Sequence, residues 1–472
     1  MNRSYLKYVF VTFALLLLST RALLAQEERK LIPVTRTYAL THVNIIQGPG
    51  RKIEMGTLII KNGLIAAVGK TVPIPAEAIV IKADSMYAYA GFIDGLSRVG
   101  VVKPKEDSKE RVKDPGNPPA DRAGITPQSD VRSFLNASEK SIEELRNLGF
   151  TTAHVVPYGG MLPGTGSIIS LENTTPDGMV MIAQSSFYSE LTPAERVYPN
   201  TLLGVMAKWR DLYRNAVLQK SYSSLYASNR NGLERPAADR ILEAFYPVIE
   251  KRTPVLFKAE KLLDIQRILT LQTDLGFSLM IGDVKEGWDY LPKIKSSGAK
   301  IFLSLDLPEE KKVEKKDDQK DVKDDKKEVK IAEKEIATDS LEKIALEKRK
   351  ADFIALCAAQ ASSFQKAGIT FGFASLSAKT KDIHANLRRM IKAGLTEDQA
   401  LAALTINPAQ LLGISDRAGS IDPGKMANIV ISDKTFFDEK AKVRYVFVEG
   451  VMYKLDTKEI DKSSGEKKPE KP

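Results

Sequence analysis

Eight short, continuously apolar runs, with helix-prone stretches between them, restrict the fold of this chain more than any other feature. They are Met86–Ile93, Thr151–Val156, Ser167–Leu171, Met179–Ala183, Pro254–Phe257, Phe277–Ile281, Ile301–Leu305 and Ile369–Phe373. Parallel strands are buried on both faces and read as unbroken apolar runs, whereas half-exposed strands alternate. The pattern therefore predicts an α/β chain with a closed (β/α)8 barrel, the third and fourth runs lying close enough to form a hairpin instead. The 472 residues suffice for such a barrel and one smaller module. With 43% hydrophobic and 28% charged residues, wholesale disorder is excluded.

Both ends of the chain carry a different pattern. Thr57–Ile60 and Leu64–Gly69 are β-prone runs across Asn62-Gly63, residues that tolerate the positive φ of a tight hairpin turn. Near the other end Asn428–Ser432, Val443–Val448 and Val451–Leu455 repeat the pattern, the last two joined at Glu449-Gly450. The two ends are expected to build one small β-sandwich domain, residues 36–85 with 418–455, around a barrel of residues 86–417. In the barrel, Thr396-Glu397-Asp398-Gln399 forms a capping box before Ala400–Leu404, and Asn407-Pro408 interrupts the periodicity.

Arg3 and Lys7 precede the apolar run Tyr8–Leu18, and Leu23-Leu24-Ala25 offers a small residue for cleavage, which reads as a signal peptide over residues 1–25. The run is shorter than the roughly 20 residues that span a bilayer. A periplasmic or secreted protein, with no membrane attachment after cleavage, is the expectation. The single cysteine, Cys357, rules out an internal disulfide. A charged insertion at residues 309–330 alternates lysines with acidic residues and has almost nothing to bury, and residues 456–472 read as a disordered tail.

The net charge of +10 comes without a nucleic-acid motif, so no nucleic-acid partner is expected. The loop Tyr158-Gly159-Gly160 to Gly164-Thr165-Gly166 lacks the lysine of a phosphate-binding loop. No serine sits in a nucleophile elbow, and Cys357 lies in the helical stretch Ala351–Ala361.

Gly91-Phe92-Ile93-Asp94 at the end of the first barrel run resembles the amidohydrolase superfamily, in particular its imidazolonepropionase-like group. So do Asn407-Pro408-Ala409, Leu412-Gly413, Gly419-Ser420-Ile421-Asp422-Pro423-Gly424-Lys425 and Ala427-Asn428-Ile429-Val430, with Asn428 where the family usually has Asp. The resemblance implies a hydrolase of carbon–nitrogen bonds in which strand-end histidines, often a lysine, and an aspartate hold zinc or another divalent ion. The ion would lower the pKa of a bound water while the aspartate moves its proton. Such sites lie at the C-terminal ends of the strands.

At those positions this sequence departs from the family. Where Asp-x-His-x-His is expected it reads Asp94-Gly95-Leu96-Ser97-Arg98, and after Pro254–Phe257 it reads Lys258-Ala259-Glu260 in place of His-Ala-His. The next strand ends at Ile281-Gly282-Asp283, and the last, Phe371-Gly372-Phe373-Ala374-Ser375, offers no aspartate. Leucine has no donor atom and a guanidinium stays protonated, so neither binds a cation. No metal or other cofactor is expected.

Of the three histidines, His42 reads as an edge residue and His384 as structural, while His154 points either into the barrel or toward the helices. Candidate pocket residues are Asp94, Ser97, Arg98, His154, Lys258, Glu260, Asp283 and Ser375. Lys258 and Glu260, two apart, share a side of the strand and, with Arg98, form either a salt-bridged plug or a pocket for an anion. The expected function is that of a non-catalytic homologue binding a small anionic or amide ligand or a partner protein, as a homo-oligomer or with an active relative. The alternative is a hydrolase of non-peptide carbon–nitrogen bonds with a reorganised site. An open pocket around Asp94, His154, Lys258, Glu260 and Asp283 would favour the enzyme; mutual burial of these groups would favour the plug.

Overall fold

The computed structural model describes residues 36–104, 112–310 and 332–455. The expected signal peptide, most of the charged insertion and the expected tail lie outside the described residues.

The small domain is one branched sheet around its own core. Its strands are β1 (Tyr38–Gly48), β2 (Arg51–Lys61), β3 (Leu64–Gly69), β4 (Ile79–Lys82) and β5 (Tyr87–Ala90) from one end of the chain. From the other end come β14 (Ile429–Ser432), β15 (Val443–Val448) and β16 (Val451–Lys454), in the order β16-β15-β14-β5-β1-β2-β3 with β4 also on β1. β1 carries both β4 and β5 on one edge because it changes course at His42, whose φ is 55°. The two chain ends are stitched by Ala427 N–H to Gly63 O at 2.8 Å and Ile65 N–H to Lys425 O at 2.8 Å. Gly450 must be glycine: its φ is 83°, and a β-carbon would meet Gly63 Cα at 2.6 Å.

The barrel strands are β6 (Phe92–Ser97), β7 (Phe150–Val155), β8 (Gly164–Ser170), β9 (Val180–Glu190), β10 (Val255–Lys258), β11 (Leu279–Val284), β12 (Lys300–Ser304) and β13 (Phe371–Ala374). They form one sheet in chain order, and its ends meet where the Ser375 N–H donates to Asp94 at 3.0 Å. All eight apolar runs contribute a barrel strand, with two corrections. β8 is antiparallel to both neighbours, so the third and fourth runs form the hairpin left open above. The first run divides at Gly91: Tyr87–Ala90 pairs with β1 and β14, and only Phe92 onward enters the barrel.

Helices cover the barrel's outside. Trp209, on the helix Leu202–Ser228, is fully buried against Phe187, Phe245, Phe257 and Phe277 at ring separations of 5.2–6.4 Å. The Thr396 hydroxyl accepts from Gln399 N at 3.3 Å and caps the helix Glu397–Leu404, as its capping box predicts. The break expected at Asn407-Pro408 falls at Thr405, and Pro408 sits in the first turn of the next helix, Ile406–Leu412.

Candidate functional site at the barrel mouth

Small residues on some strands make room for large ones on others, and this decides what the barrel interior holds. Leu96, Val156, Tyr188, Leu256, Met280, Phe302 and Ala374 form a cluster that is almost wholly buried. Phe302 lies over Gly95 and Gly372: a β-carbon on Gly95 would fall into its ring, and one on Gly372 would reach it at 2.9 Å. Leu96 lies in the same way against Gly282. In the family pattern Leu96 stands for the first histidine, and its side chain is part of a close-packed apolar centre.

Around this centre the polar groups are paired with one another. The Ser375 hydroxyl makes a short hydrogen bond to Asp94, whose other oxygen accepts from the backbone of Ser375 at 3.0 Å and of Leu96 at 3.2 Å. Ser97 Oγ lies 3.4 Å from Ser375 Oγ. Complete burial pushes the Asp94 carboxyl up to about 7, although Ser375, Leu96 and Ser97 oppose the shift. Asp283 accepts from Ser304 at 2.6 Å and from Ser377, and burial likewise raises its carboxyl pKa against those two bonds. Ser377 also reaches Glu260 at 3.4 Å.

The cations each face a carboxylate. Lys258 pairs with Glu260 at 2.8 Å, and Lys285 bridges Glu260 at 3.5 Å and Asp306 at 2.7 Å. Burial pushes the Glu260 carboxyl up, but Lys258 and Lys285 outweigh it and hold it below the usual range. Arg98 donates to Glu190 Oε1 at 2.6 Å and lies over the Tyr158 ring at 4.4 Å. Its partner is therefore Glu190 and not the Lys258–Glu260 pair, which corrects the expected three-residue plug. Glu190 Oε1 also accepts from the deeply buried Tyr188 hydroxyl at 2.9 Å.

His154 is fully buried, and the two readings of its direction resolve toward the barrel. Ala153 and Val155 pack with the outer core, while His154 contacts Gly95 O through Nδ1 at 3.2 Å and Ser186 Oγ through Nε2 at 2.9 Å. Ser186 is on β9, so the contact crosses β8 at Gly166, where a β-carbon would meet Ser186 at 2.6 Å and His154 at 3.1 Å. Burial depresses the His154 pKa to about 4, and the Gly95 carbonyl only partly offsets it. His42 is exposed beside Asp84 at 3.3 Å. His384 bonds the Phe436 carbonyl through Nε2 at 2.6 Å and Arg388 through Nδ1 at 3.0 Å.

The structure thus gathers Asp94, Ser97 and Ser375 in one group and Lys258, Glu260 and Asp283 in a second, and leaves Arg98 and His154 outside both. Lys285, Ser304, Asp306 and Ser377 complete the second group, Glu190 and Tyr188 hold Arg98, and none of these six was found from sequence. Glu190 was hidden because β9 continues through the polar stretch Gln184-Ser185-Ser186, beyond the apolar run that marked it.

These residues do not fit the divalent ion used by the family the sequence resembles. Leu96 has no lone pair to offer, Arg98 and Lys258 are cationic and paired, and Phe302 and Leu96 fill the space between the strands. Among the described residues, no group of three or more His, Cys, Asp or Glu is placed to hold a metal ion. Two cavities stand out, and neither opens on this mouth. One of about 950 Å³ runs along the opposite end of the barrel beside Pro254, Ser278 and Lys300; one of about 190 Å³ lies between barrel and small domain.

Comparison with known proteins agrees with this architecture. Residues 292–453 match the model of the amidohydrolase family. An amidohydrolase structure from Thermotoga maritima superposes with a TM-score of 0.69 at 20% identity, over 89% of this chain and 100% of that one. A urease subunit alpha from Natronomonas pharaonis is 52% identical over 42 residues, 9% of this chain and 7% of that protein. The chain therefore spans only a small part of that relative's length. Residues 292–453 are thus similar to the amidohydrolase family, and the chain has the fold of the amidohydrolase structure it superposes on, a barrel with a separate β-domain.

Proposed function

We propose that this protein is a non-catalytic member of its family, exported to the periplasm or beyond, that acts by binding a partner rather than by metal-assisted hydrolysis. The observation that carries the reading is the filled barrel centre: Leu96 and Phe302 occupy the middle of the strands on Gly282, Gly95 and Gly372. Such a barrel is packed inside and works at its strand ends, and there Leu96 offers no ligand atom while Arg98 and Lys258 are held by Glu190 and Glu260. A reorganised hydrolase needs several of Asp94, His154, Lys258, Glu260 and Asp283 free around an open pocket. Their hydrogen bonds and ion pairs are instead made among protein groups, which favours the plug.

A small anion at the mouth also finds little support, because Arg98, Lys258 and Lys285 are each matched by a carboxylate. A protein partner, either a second copy or an active relative, fits this neutralised mouth better. Export rests on the sequence of residues 1–25, and no cofactor is invoked. Hydrolysis of cyclic amides and N-acyl amino acids by the purified protein, with and without added zinc, tests the proposal. No turnover above buffer is expected; turnover proportional to protein and abolished by Asp283→Asn would overturn it.

A further inference from the structure

The cavity between the two domains is built for a ligand of narrow chemistry. Its walls are Phe92, Phe150, Phe436, Ile383 and Leu387, contributed by the barrel, a covering helix and the loop after β14. These walls are fixed before any ligand arrives. Phe436 N–H donates to the Tyr89 hydroxyl at 3.1 Å, and the Phe436 ring lies 4.6 Å from Phe92. Arg388 can only donate, so His384 Nδ1 accepts and its Nε2–H is left to bind the Phe436 carbonyl. His384 is therefore a neutral wall whose ring nitrogens are both engaged, and it offers the cavity no polar atom.

The rim is different. Lys442, an exposed residue, and Asn147, a half-buried one, line the cavity, and among the described residues neither side chain has a partner. The nearby Asp433 carboxylate is taken by Arg444 at 2.6 Å and by the Lys442 backbone at 2.8 Å, so it does not neutralise the ammonium. An apolar chamber of about 190 Å³ with one free cation and one free amide at its edge has a definite complement. A dry cavity of ~150 Å³ holds a benzene ring, so one ring fits and two do not. Domain boundaries are also where small-molecule sites concentrate.

We infer that this cavity binds a single-ring aromatic carboxylate, with the ring among Phe150, Phe436 and Leu387 and the carboxylate facing Lys442 and Asn147. The site is remote from the barrel mouth and does not depend on whether the barrel hydrolyses anything.

Titration calorimetry of the full chain with phenylacetate, benzyl alcohol and benzylamine tests this. Phenylacetate should bind one to one, about fivefold more tightly than benzyl alcohol, as one exposed charge contact allows, with benzylamine weakest. Lys442→Gln should bring phenylacetate down to the alcohol, and Ala441→Trp, at the cavity edge, should abolish binding of all three. Absence of heat with every ring compound, equal binding of acid and amine, or full binding by Ala441→Trp would each overturn the assignment. Lys442 is exposed, so the first variant tests the charge without disturbing the fold.

Discussion

The Phe302 ring rests on the bare backbone of Gly95, two strands away, where any side chain would collide with it. β12 supplies the ring, β13 passes beneath it at Gly372, and β6 closes the barrel with Gly95. This three-strand fit is a property of sequence positions that lie far apart in the chain.

Gly95→Ala should destabilise the protein by ~3 kcal/mol or more, because a new β-carbon overpacks a full core. Phe302→Ala removes every ring atom that the new β-carbon would meet, so the double variant should be more stable than the sum of the single effects predicts, by at least ~1 kcal/mol. Chemical denaturation of the four proteins measures this. Additive effects would mean that the two positions do not meet.

The pair Arg98 and Glu190 is largely buried, with side chains 22% and 14% exposed. Glu190→Gln leaves the Arg98 charge uncompensated and weakens the bond from Tyr188, and should cost ~2–3 kcal/mol. The added change Arg98→Met removes the stranded charge and should restore part of the loss. A double-mutant cycle in denaturant reads this, and no restoration would place the cost elsewhere.

Asp94 and His154 act on the pH dependence of stability in opposite directions. Asp94 has a folded pKa of about 7, above its ordinary 3.8, so its contribution is present below pH 3.8 and is lost as pH rises toward 7. His154 has a folded pKa of about 4, below its ordinary 6.5, so its contribution is present above pH 6.5 and is lost as pH falls toward 4. Between pH 4 and 6.5 the two oppose each other. Asp94→Asn should therefore unmask a rise in stability with pH across this window, with a slope of up to ~1.4 kcal/mol per unit. His154→Gln should unmask a fall. Denaturation midpoints at several pH values check both, and variants that keep the pH profile of the natural protein would refute the assignment.

The barrel strands were legible because strands buried on both faces are apolar without interruption, and the composite small domain because both ends carry hairpin turns. Continuity misled at Met86–Ile93, where two strands of different sheets run together across Gly91 and both halves are buried. That Leu96, Arg98, Lys258 and Glu260 stand at the strand ends was also readable. The choice of partners was not. Arg98 meets Glu190 across 92 residues, and Lys285, Asp306 and Ser377 stand just past strand ends, where no periodicity marks direction. The fit of Phe302 and Leu96 onto three glycines depends on strand stagger around the barrel, which no local pattern encodes.

Elemental analysis of the purified full chain, after incubation with zinc and exhaustive dialysis, decides whether the barrel centre is a metal site or a packed plug. Substoichiometric metal, unchanged when Leu96 and Arg98 are both replaced by histidine because Phe302 still fills the space, is the expected result. One or two equivalents of zinc that survive dialysis in the natural protein, and are lost on Asp94→Asn or Asp283→Asn, would contradict the filled barrel and restore the hydrolase.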